Sequence, residues 1–160
     1  MDVVADLSTD AVASALFAVV ADLGTYADWL DIVGRVEPAE PDVGDPGPAW
    51  LVDLRAQLGP LRRSKRLRMV RTICDEPDHV RFERRDLDDR SHSAWVLDAT
   101  ISAEPAVPGD GAVPTASPTS TLEMRLHYGG SLWVPMLDRL LADEIRASRA
   151  RLISLVGSGS

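Results

Sequence analysis

"LEMRLHYGGSLWVPMLDRLL", residues 122–141, changes its hydrophobic rhythm halfway. Up to Tyr128 the apolar residues fall on every second position, so Leu122, Met124, Leu126 and Tyr128 share one face of a strand. Past Ser131 they recur three or four apart. Trp133, Met136, Leu137, Leu140, Leu141, Ile145, Leu152 and Val156 then form one stripe of a helix over 132–156. Pro135 falls in the first turn, where its missing N–H does no harm. Gly129 and Gly130 sit at the junction and offer the backbone freedom to fold the helix back over the strand. At 1.5 Å per residue that helix is about 36 Å long, enough to cover a sheet.

The rest of the chain supplies such a sheet. "VVADLS" (3–8) reads as a short edge strand. Ser8 or Thr9 can cap a following helix, with Val12, Ala15, Leu16, Val19 and Leu23 as its buried stripe and Gly24 as its stop. "TYADWLD" (25–31) allows one or two further helical turns. The period then becomes two. Strands are expected at 31–38, 49–58, 65–74, 80–86 and 94–101, before the strand ending at Tyr128. Their inward faces hold Trp50, Val52 and Leu54; Leu67, Met69, Arg71 and Ile73; Val80, Phe82 and Arg84; and Trp95, Leu97, Ala99 and Ile101. "GPLRRS" reads as a turn, and 104–120, rich in Pro, Gly and Ser, as a long hairpin loop. Short connections imply antiparallel pairing, and a sheet with one apolar face must bury it. The expected fold is α+β: a seven-stranded curved antiparallel sheet gripping a long C-terminal helix, with two short helices between strands 1 and 2. Residues 1–156 are expected to form one domain, with 157–160 as a flexible tail.

This order, with "YADWLD" after the first helix and "YGGSLWVPMLDRLLADEI" at the end, resembles the START-like superfamily. That group is also called SRPBCC, or the polyketide cyclase/dehydrase and lipid-transport family, and its fold is the helix-grip. The resemblance spans about residues 2–156 and rests on element order, length and hydrophobic phase. It implies an apolar cavity between sheet and last helix, and a lipid, polyketide or quinone-like ligand. It transfers no catalytic residue.

Composition limits the function classes. Of 160 residues, 45% are hydrophobic and 26% charged, as in ordinary globular proteins. The formal net charge of −8 argues against general nucleic-acid affinity. "RRSKRLRMVR" (62–71) holds six basic residues, yet Arg66 and Arg68 alternate outward, and nearby acids suit a salt-bridged outer face. A single cysteine, Cys74, permits no internal disulfide and no thiolate cluster, and a cytoplasmic setting is expected. The start "MDVVADLSTD" lacks the basic region of a secretory signal, and no apolar run reaches the roughly 20 residues of a membrane span. His79 and His92 fall in turns and His127 alternates outward, so no pair has metal-ligand spacing. No phosphate loop, dinucleotide fingerprint or G-x-S-x-G occurs. Neither metal nor cofactor is expected, and no catalytic residue is assigned.

The candidate ligand-binding residues are Trp50, Met69, Arg71, Arg84, Trp95, Met124, Tyr128, Trp133 and Leu137. The tryptophans and Tyr128 offer flat apolar surface with one polar handle each, and the methionines a deformable wall. At the same spacing all of these can be plain core. Arg71 and Arg84 lie on a face otherwise built for burial, where an unpaired charge is costly. Either they grip the polar end of an amphipathic ligand, or they pair with protein acids such as Glu144. The leading expectation is a soluble protein that encloses a hydrophobic or amphipathic small molecule. The alternatives are a polyketide cyclase or aromatase, and a cavity-poor interaction module on the same scaffold.

Overall fold

A computed structural model of the chain describes residues 1–58, 61–104, 119–130 and 134–157. The expected hairpin loop over 104–120 lies, apart from its ends, outside the described residues, as does Trp133. Strand β1 (Asp2–Thr9) leads into helix α1 (Ala13–Val20), a 3-10 turn (Leu23–Thr25) and the single-turn helix α2 (Tyr26–Trp29). Six strands follow: β2 (Val33–Ala39), β3 (Ala49–Leu58), β4 (Leu61–Asp75), β5 (His79–Arg84), β6 (Trp95–Glu104) and β7 (Thr119–Tyr128). Helix α3 (Val134–Gly157) ends the described chain, one residue past the expected domain boundary. The strands form one sheet in the order β1-β7-β6-β5-β4-β3-β2, antiparallel throughout.

This is the expected α+β architecture: a curved antiparallel sheet with a long C-terminal helix and two short helices between β1 and β2. Trp50, Val52, Leu67, Met69, Phe82, Trp95, Ile101 and Leu122 are buried on one sheet face, as the alternation requires. Helix α3 packs against β1, α1 and α2 and buries Leu152 and Val156 against that core. The helix-capping expectation is met only loosely. Thr9 Oγ1 accepts from the Ala11 amide at 3.3 Å, but α1 starts later, behind Val12, without a side-chain cap. In place of the expected stop at Gly24, Asp22 caps the 3-10 turn by accepting from the Gly24 amide at 2.8 Å.

Two expectations of phase are corrected. The stretch read as a turn, "GPLRRS", is mostly strand: Leu58 faces Leu61 across a two-residue connection, and β4 begins at Leu61. The ladder between β4 and β5 also shifts register between Arg71 and Ile73. The extra residue, Thr72, rotates the remainder of β4 by one position. Ile73 therefore faces Arg81, and Cys74 faces Val80, the reverse of simple alternation.

The junction at Gly129 and Gly130 also has a different cause from the one expected. Neither glycine adopts a left-handed φ. Instead the Tyr128 ring folds back over Gly130, and a Cβ there would collide with the phenol oxygen. A side chain at this position would require the Tyr128 ring to move.

The outer face is salt-bridged, as the sequence suggested. Arg66 holds Asp53 with two bonds of 2.7 and 2.9 Å. Arg68 is buried at 5% exposure beneath the loop at 40–48, where it pairs with Asp45 and donates to the Glu40 carbonyl at 2.9 Å. The Arg68 guanidinium, together with the Asp42 amide, holds the Asp45 carboxyl below the usual carboxylate range. No helix among the described residues is long and apolar enough to cross a membrane.

Candidate functional site

The side chains of the buried face do not completely fill the space beneath α3. A pocket of about 130 Å³ lies between the helix and the sheet. Its floor is strand residues: Val52 and Leu54 from β3, Leu67 and Met69 from β4, Trp95 and Leu97 from β6. Leu122, Met124 and Leu126 from β7, with Val3, Ala5 and Leu7 from β1, continue it toward the edge. Tyr26, Trp29 and Leu30 close one side, and Glu144, Ser148, Arg149 and Leu152 of α3 form the roof. Strand alternation explains the floor, since every second residue on each of these strands is apolar and points the same way.

The wall's polar groups are largely engaged. The Tyr26 hydroxyl is buried and donates to the Val20 carbonyl at 2.8 Å, and burial raises its pKa, so it stays neutral. Glu144 accepts from the Asp31 amide and from Arg151 Nη2 at 3.4 Å. Arg151 in turn pairs with Asp31, so this cluster ties the segment after α2 to α3 across the pocket's roof. Two donors are left over. The indole Nε1 atoms of Trp29 and Trp95 are buried and meet no acceptor among the described residues.

The expected ligand-contacting residues divide into three groups. Met69, Trp95 and Met124 are brought together on the pocket wall. Trp50, Arg71, Arg84 and Tyr128 lie on the buried face but off that wall. Trp50 packs edge-on against Phe82, with ring centroids 5.8 Å apart. Arg71 points under the end of α1, where Nη1 donates to the Ala21 carbonyl at 2.9 Å. A cation suits the negative end of a helix, so Arg71 is satisfied without a ligand. Arg84 pairs with Asp86 and donates from Nη1 to the Ser93 carbonyl at 3.2 Å. Glu144, the acid proposed as an arginine partner, serves Arg151 and not Arg71 or Arg84. Tyr128 packs on Trp95 at 4.9 Å. Trp133 and the side chain of Leu137 lie outside the described residues.

The reading from sequence missed the aromatic side wall. Tyr26 and Trp29 stand three apart, the spacing of one helical face, and their ring centroids are 4.7 Å apart. That spacing was visible in "TYADWLD". It also passed over Lys65, which is in phase with Leu67 but exposed. Its Nζ lies 5.9 Å from the centroids of both Trp95 and Tyr128. Partial burial, followed by the nearby charge of Arg84, lowers its pKa. No group of His, Cys, Asp and Glu that could hold a metal occurs among the described residues.

No protein-family model matches the chain, and no curated protein sequence does. Solved structures do match in shape. A START superfamily protein from Mycobacterium smegmatis superposes with a TM-score of 0.66 at 16% identity, covering 99% of both chains. A Chromobacterium violaceum protein gives a TM-score of 0.61 at 13% identity over 97% of this chain and 96% of its own. The di-domain ARO/CYC protein BexL of the BE-7585A biosynthetic pathway gives 0.59 at 15% identity, with this chain spanning 50% of it. At such identities the likeness concerns the backbone: the chain has the START-like, helix-grip fold.

Proposed function

We propose that the chain is a binding protein for a small hydrophobic or amphipathic molecule, held between the sheet and α3. The observation that supports this reading is the unfilled apolar pocket of about 130 Å³. Close-packed cores avoid such spaces. Apolar ligand surface buried there would contribute about 25 cal/mol per Å². Apolar cavities of about 150 Å³ accept benzene, so the pocket suits one ring-sized apolar group. A quinone-like head group fits that measure. A long lipid or polyketide would need α3 to move away from the sheet. Of the residues singled out from sequence, Met69, Trp95 and Met124 are the proposed contacts, joined by Trp29, Leu97 and Leu152.

Native mass spectrometry of the protein as purified, followed by titration with ring-sized apolar compounds, tests the proposal. A co-purifying small molecule, or saturable binding that raises Tm, supports it. Ligand-free protein that binds none of the compounds would refute it.

The likeness to half of the di-domain ARO/CYC protein favours one second reading, a cyclase acting on a poly-ketone chain. Incubation with a poly-ketone substrate separates the two readings: a cyclase releases product that has lost water, and a binder returns its ligand unchanged. A cavity-poor interaction module, the third possibility, would have the two inward arginines satisfied by protein but a solid interior beside them.

A further inference from the structure

We infer that Glu144 makes the pocket selective for ring-sized ligands that carry a hydroxyl group as hydrogen-bond donor. This rests on the reading of the pocket as a binding site and names the class of ligand it takes. Glu144, Ser148 and Leu152 all line the pocket and recur every four residues along α3, so they share the helix face that roofs it. Ser148 and Leu152 are 3% and 2% exposed, which sets that face against the interior. The Glu144 side chain leaves the helix on the same side and is only 15% exposed. Its carboxylate is held at one corner: Oε1 accepts from the Asp31 amide and from Arg151 Nη2. The other oxygen, Oε2, meets no donor among the described residues.

A carboxylate oxygen largely withdrawn from water is costly until a donor reaches it. The Tyr26 hydroxyl, also on the wall, is committed to the Val20 carbonyl, and Arg149 is exposed. A hydroxyl on a ligand in the pocket supplies the missing proton. Other polar groups serve less well. A carboxylate would meet Glu144 as a like charge. An ammonium group could donate, but it gives up far more hydration on entering apolar space, and Arg151 already balances the charge of Glu144. An ether or a ketone has no proton to give. In a pocket without an acceptor the hydroxyl is a handicap, because it loses water and gains nothing. The binding order of a phenol and its methyl isostere therefore reports directly on Glu144.

Three probes separate the possibilities: p-cresol, p-xylene, which replaces the hydroxyl by a methyl group, and 4-methylanisole, which keeps the oxygen and blocks the proton. Affinities come from calorimetric titration of the whole chain at neutral pH. p-Cresol is expected to bind about tenfold more tightly than either of the others. A crystal structure of its complex should place the phenol oxygen within hydrogen-bond distance of Glu144 Oε2. Glu144→Gln keeps the shape and an acceptor for the Asp31 amide, and puts an NH₂ donor in place of Oε2. It should cut the preference for p-cresol over 4-methylanisole by about fivefold or more and leave p-xylene affinity within about twofold. Equal weakening of all three probes would assign Glu144 a structural role only and overturn the inference. So would p-xylene binding as tightly as p-cresol to the unaltered protein, which leaves the pocket as a binding site. Binding of none of the three would overturn both readings. The comparison of probes on the unaltered protein decides the matter even if the Gln variant does not fold.

Discussion

Replacing Ala5 by leucine should make the protein more stable and less able to bind. Ala5 lines the pocket from β1, opposite Met124 in the adjoining β7. Leucine adds three carbons on the pocket side of the sheet. Burying them is worth at most about 2.4 kcal/mol at about 0.8 kcal/mol per CH₂. Imperfect fit takes part of this back, so the expected gain is about 1–2 kcal/mol. For a chain of this length each kcal/mol moves Tm by about 2–4 °C, which gives a rise of about 3–6 °C in scanning calorimetry. Affinity for p-xylene measured on the same sample should fall at least tenfold, because the added side chain occupies the ligand's space. The reasoning fails if Tm drops by several degrees while affinity is unchanged. That pattern is overpacking, costing about 1–3 kcal/mol, and would mean that the space beside Ala5 is already filled.

The paired charges make further predictions. Arg84→Leu should cost about 1–3 kcal/mol in chemical denaturation, since Asp86 loses its guanidinium and keeps the Arg68 amide, yet leave affinity for ring-sized apolar compounds within twofold of the parent. Asp45→Asn should cost a similar amount at pH 7 by leaving the buried Arg68 charge with only neutral acceptors, the Glu40 and Arg85 carbonyls and the new amide. Arg68 depresses the folded-state pKa of Asp45, so the stabilisation is complete above the ordinary carboxylate value and disappears as pH falls through the folded one. The gap between parent and variant in urea titrations should therefore be widest near neutrality and close below about pH 4. A gap independent of pH would show that the loss comes from packing and not from the ion pair.

The parts of the fold that depend on local pattern were legible from the residues. The alternation of "AWLVDLRAQL" marks β3 over its full length, and the change of period at Gly129 separates β7 from α3. Bulges leave no such trace. The shift after Arg71 sets Ile73 opposite Arg81 and not Val80, although its spacing from Met69 is that of a continuous strand. The arginines show a second limit. Alternation correctly puts Arg71 and Arg84 on the buried side, but a face is wider than a pocket. Which helix end or loop covers each point is a tertiary fact, and here α1 meets Arg71 and the chain after β5 meets Arg84. Trp29 is the converse case. Its spacing from Tyr26 is visible, but a helix of four residues gives no longer stripe to show that this face meets α3, where the Glu144–Arg151–Asp31 cluster also joins the two segments.

Xenon under pressure probes the hollow itself, whatever the natural ligand is, because a dry apolar space of this size takes up the gas without needing a polar contact. A crystal of the protein equilibrated with xenon should show one strong peak beneath α3, ringed by Leu67, Met69, Leu97, Met124 and Leu152. Diffraction showing no xenon there, with side chains closed over the site, would contradict the claim that sheet and helix enclose space for a guest.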